Sequence, residues 1–233
     1  SLPPDQHLKV VGVWMEKYGI EPADVGAPGF LPHDTTITDS FTGADNGLGA
    51  NWNIDQGTWG IRTNEAGVLE NANCSAQHVT SLSTDDHYSQ VLITVHSNTA
   101  RSGPFCRYTT GALRDAYIFA HRTDITRELG KIVDNVYTQL VADGPAVTLP
   151  ATYKVSADGS TITGYLDGAQ IHQTTDTSNS GQLQCGMRGW GTPTRFDDFE
   201  AADLVAAGGD GTDFPWAAFH VQPELIATGV VPY

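Results

Sequence analysis

Short apolar runs separated by turn residues follow one another closely from Ile37 onward. This spacing is typical of an antiparallel β-sandwich, because βαβ units would place long helical patterns between the strands. Segment 89–97, SQVLITVHS, alternates apolar and polar residues and is predicted to be a central strand. The pattern therefore predicts one all-β sandwich over residues 37–205, with its body between about Asp39 and Asp203.

The clearest hairpins lie in segment 152–176, TYKVSADGSTITGYLDGAQIHQTTD. Asp158-Gly159 and Asp167-Gly168 are both turn dipeptides, so three successive strands are predicted there. A further hairpin loop is predicted at 64–67, between TWGIRT and GVLEN. The Gly-rich stretch 181–191, GQLQCGMRGWG, leads into RFDDFEAADLV, which is predicted to be the closing strand.

Both ends of the chain depart from this pattern. Residues 5–18 carry apolar side chains at helical spacing and precede Gly19, which predicts a short amphipathic helix followed by a Pro-rich linker to residue 36. Residues 206–233 are Gly-rich and then aromatic, which predicts an extended arm. The apolar residues expected to pack in these two arms, on the sandwich or on a neighbouring subunit, are Leu8, Val11, Trp14, Met15, Tyr18, Phe214, Trp216 and Phe219.

Charge excludes one class of partner. The 233 residues include 27 Asp and Glu but 12 Lys and Arg, a formal net charge of −15, and no basic run could neutralise successive phosphates. Nucleic acid is therefore not an expected partner. No segment has the ~18 consecutive apolar residues of a membrane span, so insertion is not expected either. Ser1 fits a removed initiator Met or a cleaved signal, and we favour the first.

Three cysteines cannot complete a disulfide framework, and Cys74, Cys106 and Cys185 match no metal-binding spacing. We expect them to be small buried side chains. A bridge between Cys106 and Cys185 stays open as the alternative.

Two parts of the sequence point to a known fold. Segment 39–71, DSFTGADNGLGANWNIDQGTWGIRTNEAGVLEN, resembles the opening of concanavalin A-like and laminin G-like jelly rolls. Segment 153–176 and the later RFDDFEA resemble their closing strands, whereas 74–150 match weakly. The resemblance implies an antiparallel jelly-roll β-sandwich in which Trp52 and Trp59 fill the core.

The sandwich with an arm at each end also resembles minor tail or capsid-associated proteins of tailed bacteriophages. That resemblance implies a non-catalytic virion structural protein, made in the host cytoplasm and docked by its arms onto capsid or tail subunits. Host-surface glycans would then be a second class of partner. A carbohydrate-binding module, and a glycoside hydrolase or lyase, are the alternative functions.

Catalysis is not expected. Laminarinase-type enzymes of this fold carry an E-x-D-x-E strand that places two carboxylates on one groove, and the chain has no such motif. The nearest acidic cluster is RFDDFE, with Asp197, Asp198 and Glu200. No catalytic residue is therefore assigned.

A structural Ca²⁺ ion is one hypothesis for the acidic residues. In related sandwiches the first and last strands are neighbours, which would bring Asp39 close to Asp197 and Asp198, and Ca²⁺ takes six to eight oxygen ligands. The alternative is that these carboxylates accept backbone N–H bonds at strand ends and turns. No other cofactor is expected.

Glycan contacts are predicted for aromatic and polar side chains, because rings stack on sugars and polar groups bind hydroxyls. The candidates are Trp190, Arg188, Tyr117 and His121. Trp190 lies between two glycines, which favours an exposed loop tip; packing or an interface contact is the alternative for it.

Overall fold

The computed structural model describes residues 35–97, 100–122, 126–141 and 144–204. These residues form strands and loops without a helix. They therefore contain no helix with the length and apolar character needed to span a membrane. The strands are β1 (Thr36–Asp39), β2 (Trp52–Gln56), β3 (Trp59–Arg62), β4 (Glu65–Val68), β5 (Asn73–His78), β6 (His87–Val95), β7 (Gly103–Tyr108), β8 (Ala116–His121), β9 (Arg127–Val133), β10 (Val136–Val141), β11 (Ala151–Asp158), β12 (Thr161–Leu166), β13 (Ala169–Thr175), β14 (Gln184–Trp190) and β15 (Arg195–Asp203).

Two antiparallel sheets make a jelly-roll-like sandwich. The eight-stranded sheet has the order β13-β12-β11-β6-β15-β4-β3, with β1 also paired to β15, and the seven-stranded sheet has the order β10-β9-β8-β7-β14-β5-β2. β15 pairs with β6 on one side; on the other its first residues pair with β4 and its last with β1. First and last strands are therefore neighbours, as the resemblance implied.

The core lies between the sheets, because alternate side chains of each strand point inward. β6 shows this directly, with Val91 and Ile93 fully buried between less buried neighbours. Trp52 is buried against Phe199, with ring centroids 4.9 Å apart, and Trp59 packs on Phe196 at 5.6 Å. Both tryptophans thus fill the sandwich.

The Gly-rich stretch before β15 is not a loop. It contains β14, a central strand of the seven-stranded sheet, and its glycines permit close packing. A Cβ atom at Gly186 would lie 2.2 Å from the Ala76 carbonyl oxygen, and one at Gly189 would lie 2.4 Å from Val68 Cγ2. Trp190 is therefore a half-buried strand residue, and the predicted loop tip is wrong.

The hairpin between β3 and β4 turns earlier than predicted. Thr63 and Asn64 form the turn with positive φ angles of 58° and 62°, so Glu65–Val68 is already strand. All three cysteines are buried free thiols, without the Cys106–Cys185 bridge. The predicted helix at 5–18 and the arm at 206–233, with all of their candidate packing residues, lie outside the described residues.

Candidate functional site

A groove crosses the outer face of the seven-stranded sheet. Its floor belongs to a small apolar cluster that is separate from the main core and contains Phe105, Tyr108, Ala116, Ile118 and Ala120. The side chains of β8 alternate between the two faces of the sheet. Its even-numbered residues belong to this outer cluster, whereas Tyr117 and Phe119 point into the main core. The cavity above the floor measures about 200 Å³ and is bordered by polar side chains from β2, β5, β10 and β14.

Three planar polar groups form a chain across neighbouring strands at the groove. Arg188 Nε donates to Asn73 Oδ1 at 2.7 Å, and Asn73 Nδ2 donates to Gln56 Oε1 at 3.0 Å. β14 pairs with β5 and β5 pairs with β2, so the backbone fixes the spacing of all three. Each group is thereby held in one orientation before any ligand arrives.

Tyr137 forms the opposite wall of the groove. Its phenol lies over Gly130, where a Cβ atom would come within 2.2 Å of the Tyr137 hydroxyl oxygen. Arg101 lies above the ring, with its guanidinium carbon 4.0 Å from the ring centroid. A side chain at position 130 would therefore displace the Tyr137 ring from this wall.

Asp55 is fixed at one end of the groove by two donors. Tyr108 Oη and Arg114 Nε both donate to Asp55 Oδ2. Burial alone would raise the pKa of Asp55, but these bonds and the Arg114 charge outweigh burial and lower it. Asp55 therefore stays a carboxylate and cannot act as a general acid near neutral pH.

Glu128 is the other acid associated with this part of the sheet. It is fully buried and forms ion pairs with Arg101 and Arg122. Its carboxylate therefore neutralises protein cations and is not exposed to a ligand. Among the described groove residues, two free convergent carboxylates of the kind needed for glycoside hydrolysis are not present.

The sequence-based glycan candidates are divided between the two faces. Arg188 lines the groove. Trp190 lies two residues further along β14, so alternation places it on the same face, but it is not among the groove-lining residues.

Tyr117 and His121 do not reach the groove. Tyr117 is fully buried and its hydroxyl donates to Asp176 Oδ1 at 2.7 Å, while His121 Nδ1 lies 2.8 Å from Tyr153 Oη inside the sandwich. As β8 residues of odd number, they point to the core. Their assignment as glycan contacts is therefore wrong.

The predicted calcium ligands are placed at the β1–β15 pair, where Asp39 lies opposite Phe199. Asp39 accepts bonds from Phe41 N and Trp52 Nε1, at 2.8 Å each, and Asp197 accepts one from Asp198 N at 2.9 Å. No group of three or more His, Cys, Asp or Glu side chains within the described ranges could hold a metal ion. Asp39 and Asp197 thus accept N–H bonds, as in the alternative interpretation, and Ca²⁺ binding at Asp39, Asp197 and Asp198 stays a prediction.

Asn73, Gln56 and Tyr137 were not identified from the sequence. β5, NCSAQH, lacks a clear alternation because its buried residues include polar ones, and Tyr137 follows a turn in a short edge hairpin. A useful signal would have been the Asp134-Asn135 turn, whose positive φ angles fix the β9–β10 hairpin and place Tyr137 beside β9.

No protein-family model and no curated protein matches the chain. Solved structures do. The carbohydrate-binding module CBM66 from Bacillus subtilis matches with a TM-score of 0.52 at 16% identity, over 66% of this chain and 92% of that one.

Two enzymes are similar to the same degree. A β-1,3-1,4-glucanase (lichenase) from a mouse hindgut metagenome has a TM-score of 0.52 at 11% identity, over 72% of this chain and 99% of its own. The Bacillus licheniformis β-glucanase has a TM-score of 0.51 at 12% identity, over 72% and 98%. At these identities the likeness concerns the fold alone, and the described part of the chain has a concanavalin A-like β-sandwich fold.

Proposed function

We propose that the chain binds glycans, without cleaving them, in the groove on the outer face of the seven-stranded sheet. The observation that carries the proposal is the chain of oriented planar groups, Arg188, Asn73 and Gln56, beside an apolar floor. Sugars present C–H groups on one side and hydroxyls around the ring. A site with a small apolar surface and a few fixed polar groups fits that chemistry.

Each side of the groove has a defined part in this binding. Ile132 and the Tyr137 ring, both partly exposed, provide apolar surface for the C–H groups, and the Gln56 amide and Arg188 guanidinium provide donors for hydroxyls. Because Asn73 is bonded on both sides, it serves to position its two neighbours.

The similar structures support a glycan ligand, since they include a carbohydrate-binding module and glucanases. The groove favours binding over cleavage, because Asp55 and Glu128 are both held in ion pairs. The virion role predicted from the sequence depends on arms outside the described residues. None of the similar structures named above is a virion protein, so the proposal does not extend to that role.

Binding can be tested by affinity electrophoresis of the whole chain through gels that contain soluble neutral and acidic polysaccharides. Gln56→Ala and Asn73→Ala should each weaken retardation by roughly 5- to 10-fold in apparent Kd, because each removes about one hydrogen bond or its positioning partner.

The matched control is Gln170→Ala, since Gln170 is exposed on β13 of the other sheet. It should bind like the unaltered chain. Retardation that is absent for every polysaccharide, or equal for all three variants, would contradict the proposal. Release of reducing ends during incubation would show instead that the chain is an enzyme.

A further inference from the structure

Arg188 presents a cationic group to the groove. Its Nε is used by Asn73, and the side chain lines the cavity. It forms no ion pair with any residue in the described ranges. Burial, and after it the nearby Arg101 guanidinium, lower the pKa of Arg188 to about 10, so the group remains a cation at neutral pH.

The other arginines of this region differ from Arg188 in having acidic partners. Arg114 is paired with Asp55, and Arg101 with Glu128. Both acids of the region are therefore already neutralised. Arg188 remains as a half-buried positive charge next to a second guanidinium, which is unfavourable unless an anion binds there.

The net charge of the whole protein limits which anions can bind near Arg188. With 27 acidic and 12 basic side chains, the chain repels anions in general. An anionic ligand would therefore depend on a local cation. Arg188 is such a cation, and the bond to Asn73 fixes the plane of its guanidinium fork.

We propose that the groove recognises a carboxylate-bearing sugar, a uronic acid residue of an acidic glycan, with Arg188 as its binding partner. This inference rests on the proposed glycan-binding function and specifies its ligand class. A planar carboxylate accepts two parallel N–H bonds from a guanidinium, a geometry that a sugar hydroxyl cannot match. The Gln56 amide and the apolar surface of Ile132 and Tyr137 remain for the rest of the sugar ring.

The test compares pairs of ligands that differ at one group. Trisaccharides of glucuronate, galacturonate and mannuronate, and the same trisaccharides after reduction of the carboxylates to hydroxymethyl groups, are titrated into the whole chain by calorimetry. At least one uronate should bind about 10-fold or more tightly than its reduced form, because a charge-assisted bond is lost on reduction. A sulfated neutral trisaccharide provides the third arm.

Substitutions distinguish a specific role of Arg188 in binding from a general effect of net charge. Arg188→Gln should lower uronate affinity by ~10-fold or more, and Arg188→Lys by a smaller factor, because lysine keeps the charge without the fork. Arg195→Gln is the control: it removes the same charge from β15, in the other sheet, where Arg195 pairs with Glu65. It should leave uronate affinity unchanged.

The outcomes distinguish the two proposals. Equal binding of uronates and reduced forms, tighter binding of the sulfated sugar, or equal loss in Arg188→Gln and Arg195→Gln would overturn the uronate inference and leave glycan binding intact. If no trisaccharide and no polysaccharide binds, glycan binding itself fails. If Arg188→Gln does not fold, the uronate inference is still tested by comparing each uronate with its reduced form and by the uronate affinity of Arg188→Lys.

Discussion

The Asp176 carboxylate accepts hydrogen bonds from several donors, which makes its protonation unfavourable in the folded protein. Oδ1 accepts bonds from Tyr117 Oη at 2.7 Å and Ser178 N at 2.9 Å, and Lys131 Nζ lies 2.5 Å from Oδ2. Burial would raise the pKa of Asp176, but these partners outweigh burial and lower it from 3.8 to about 2. The folded state therefore favours the ionised form.

The lowered pKa predicts a loss of stability in acid. Because the folded pKa is below the unfolded one, the contribution is complete above about pH 4 and disappears as the pH falls towards 2. It should amount to roughly 2 kcal/mol of unfolding free energy. Urea unfolding between pH 2 and 6 should show this loss in the unaltered chain, and a smaller one in Asp176→Asn.

Asp158→Asn is the matched control, because Asp158 is exposed at the end of β11, just before the turn. Its acid dependence should equal that of the unaltered chain. If Asp176→Asn keeps the full dependence as well, the three donors do not act on Asp176 as described.

Single residues show how far the sequence could predict the site. Arg188 was identifiable because an arginine in an otherwise apolar and glycine-rich strand is unusual. Tyr117 and His121 were misassigned, since side-chain type does not reveal which sheet face is the core; in AYIFAH all residues are buried. Asn73 could not be found, because its role depends on strands that pair only in the folded sheet.

At the scale of elements, Asp203 joins three segments of the eight-stranded sheet. It lies at the end of β15, and its carboxylate accepts bonds from Thr35 N at 3.0 Å and from Ser83 N and Thr84 N at 2.9 Å. The segment before β1 and the loop before β6 are thereby attached to the last strand. Asp203 is buried, and an asparagine there would keep one acceptor oxygen but place its NH2 group against a buried N–H donor.

Asp203→Asn should therefore lower the unfolding free energy by about 3 kcal/mol, measured by urea unfolding at neutral pH. Asp197→Asn, on the same strand, serves as its control. Burial and then the neighbouring Asp198, Glu65 and Asp39 raise the pKa of Asp197, so the loss of its charge should cost less than about 1 kcal/mol. Equal costs for the two variants would contradict the proposed role of Asp203.

Elements with local signals were predictable from the sequence. The β11–β13 hairpins follow their Asp-Gly turns, and β6, β8 and β15 follow alternating or apolar runs. β5 and β7 were not predicted. β7, GPFCRY, contains a proline and is buried at every position, so its strand character comes from pairing with β14 and β8 rather than from a period of two.

At the scale of the whole molecule, the strands pair within residues 35–204, and the main core lies between their two sheets. We therefore expect a fragment of residues 35–204 to fold on its own. The reactivity of its thiols provides a sensitive test of whether the fragment is folded. Burial raises the pKa of Cys74 to about 11 and that of Cys106 to about 12, so neither thiol should react in the native state.

The fragment should unfold in one cooperative transition, and an aromatic disulfide reagent should titrate all three cysteines only after unfolding. The whole chain is the control. If the fragment exposes a thiol that the whole chain protects, then the terminal segments stabilise the sandwich. Light scattering of both samples would test the predicted role of those segments in assembly.

The adjacency of β1 and β15 also determines how the sandwich would respond to tension. The two strands are antiparallel, with Thr36 opposite Ala202, so the chain enters and leaves at the same end of the pair. A force that pulled these two ends apart would act across the ladder and break its hydrogen bonds one at a time. The two strands would thus separate progressively from that end, and the Asp203 contacts would be the first to resist the force.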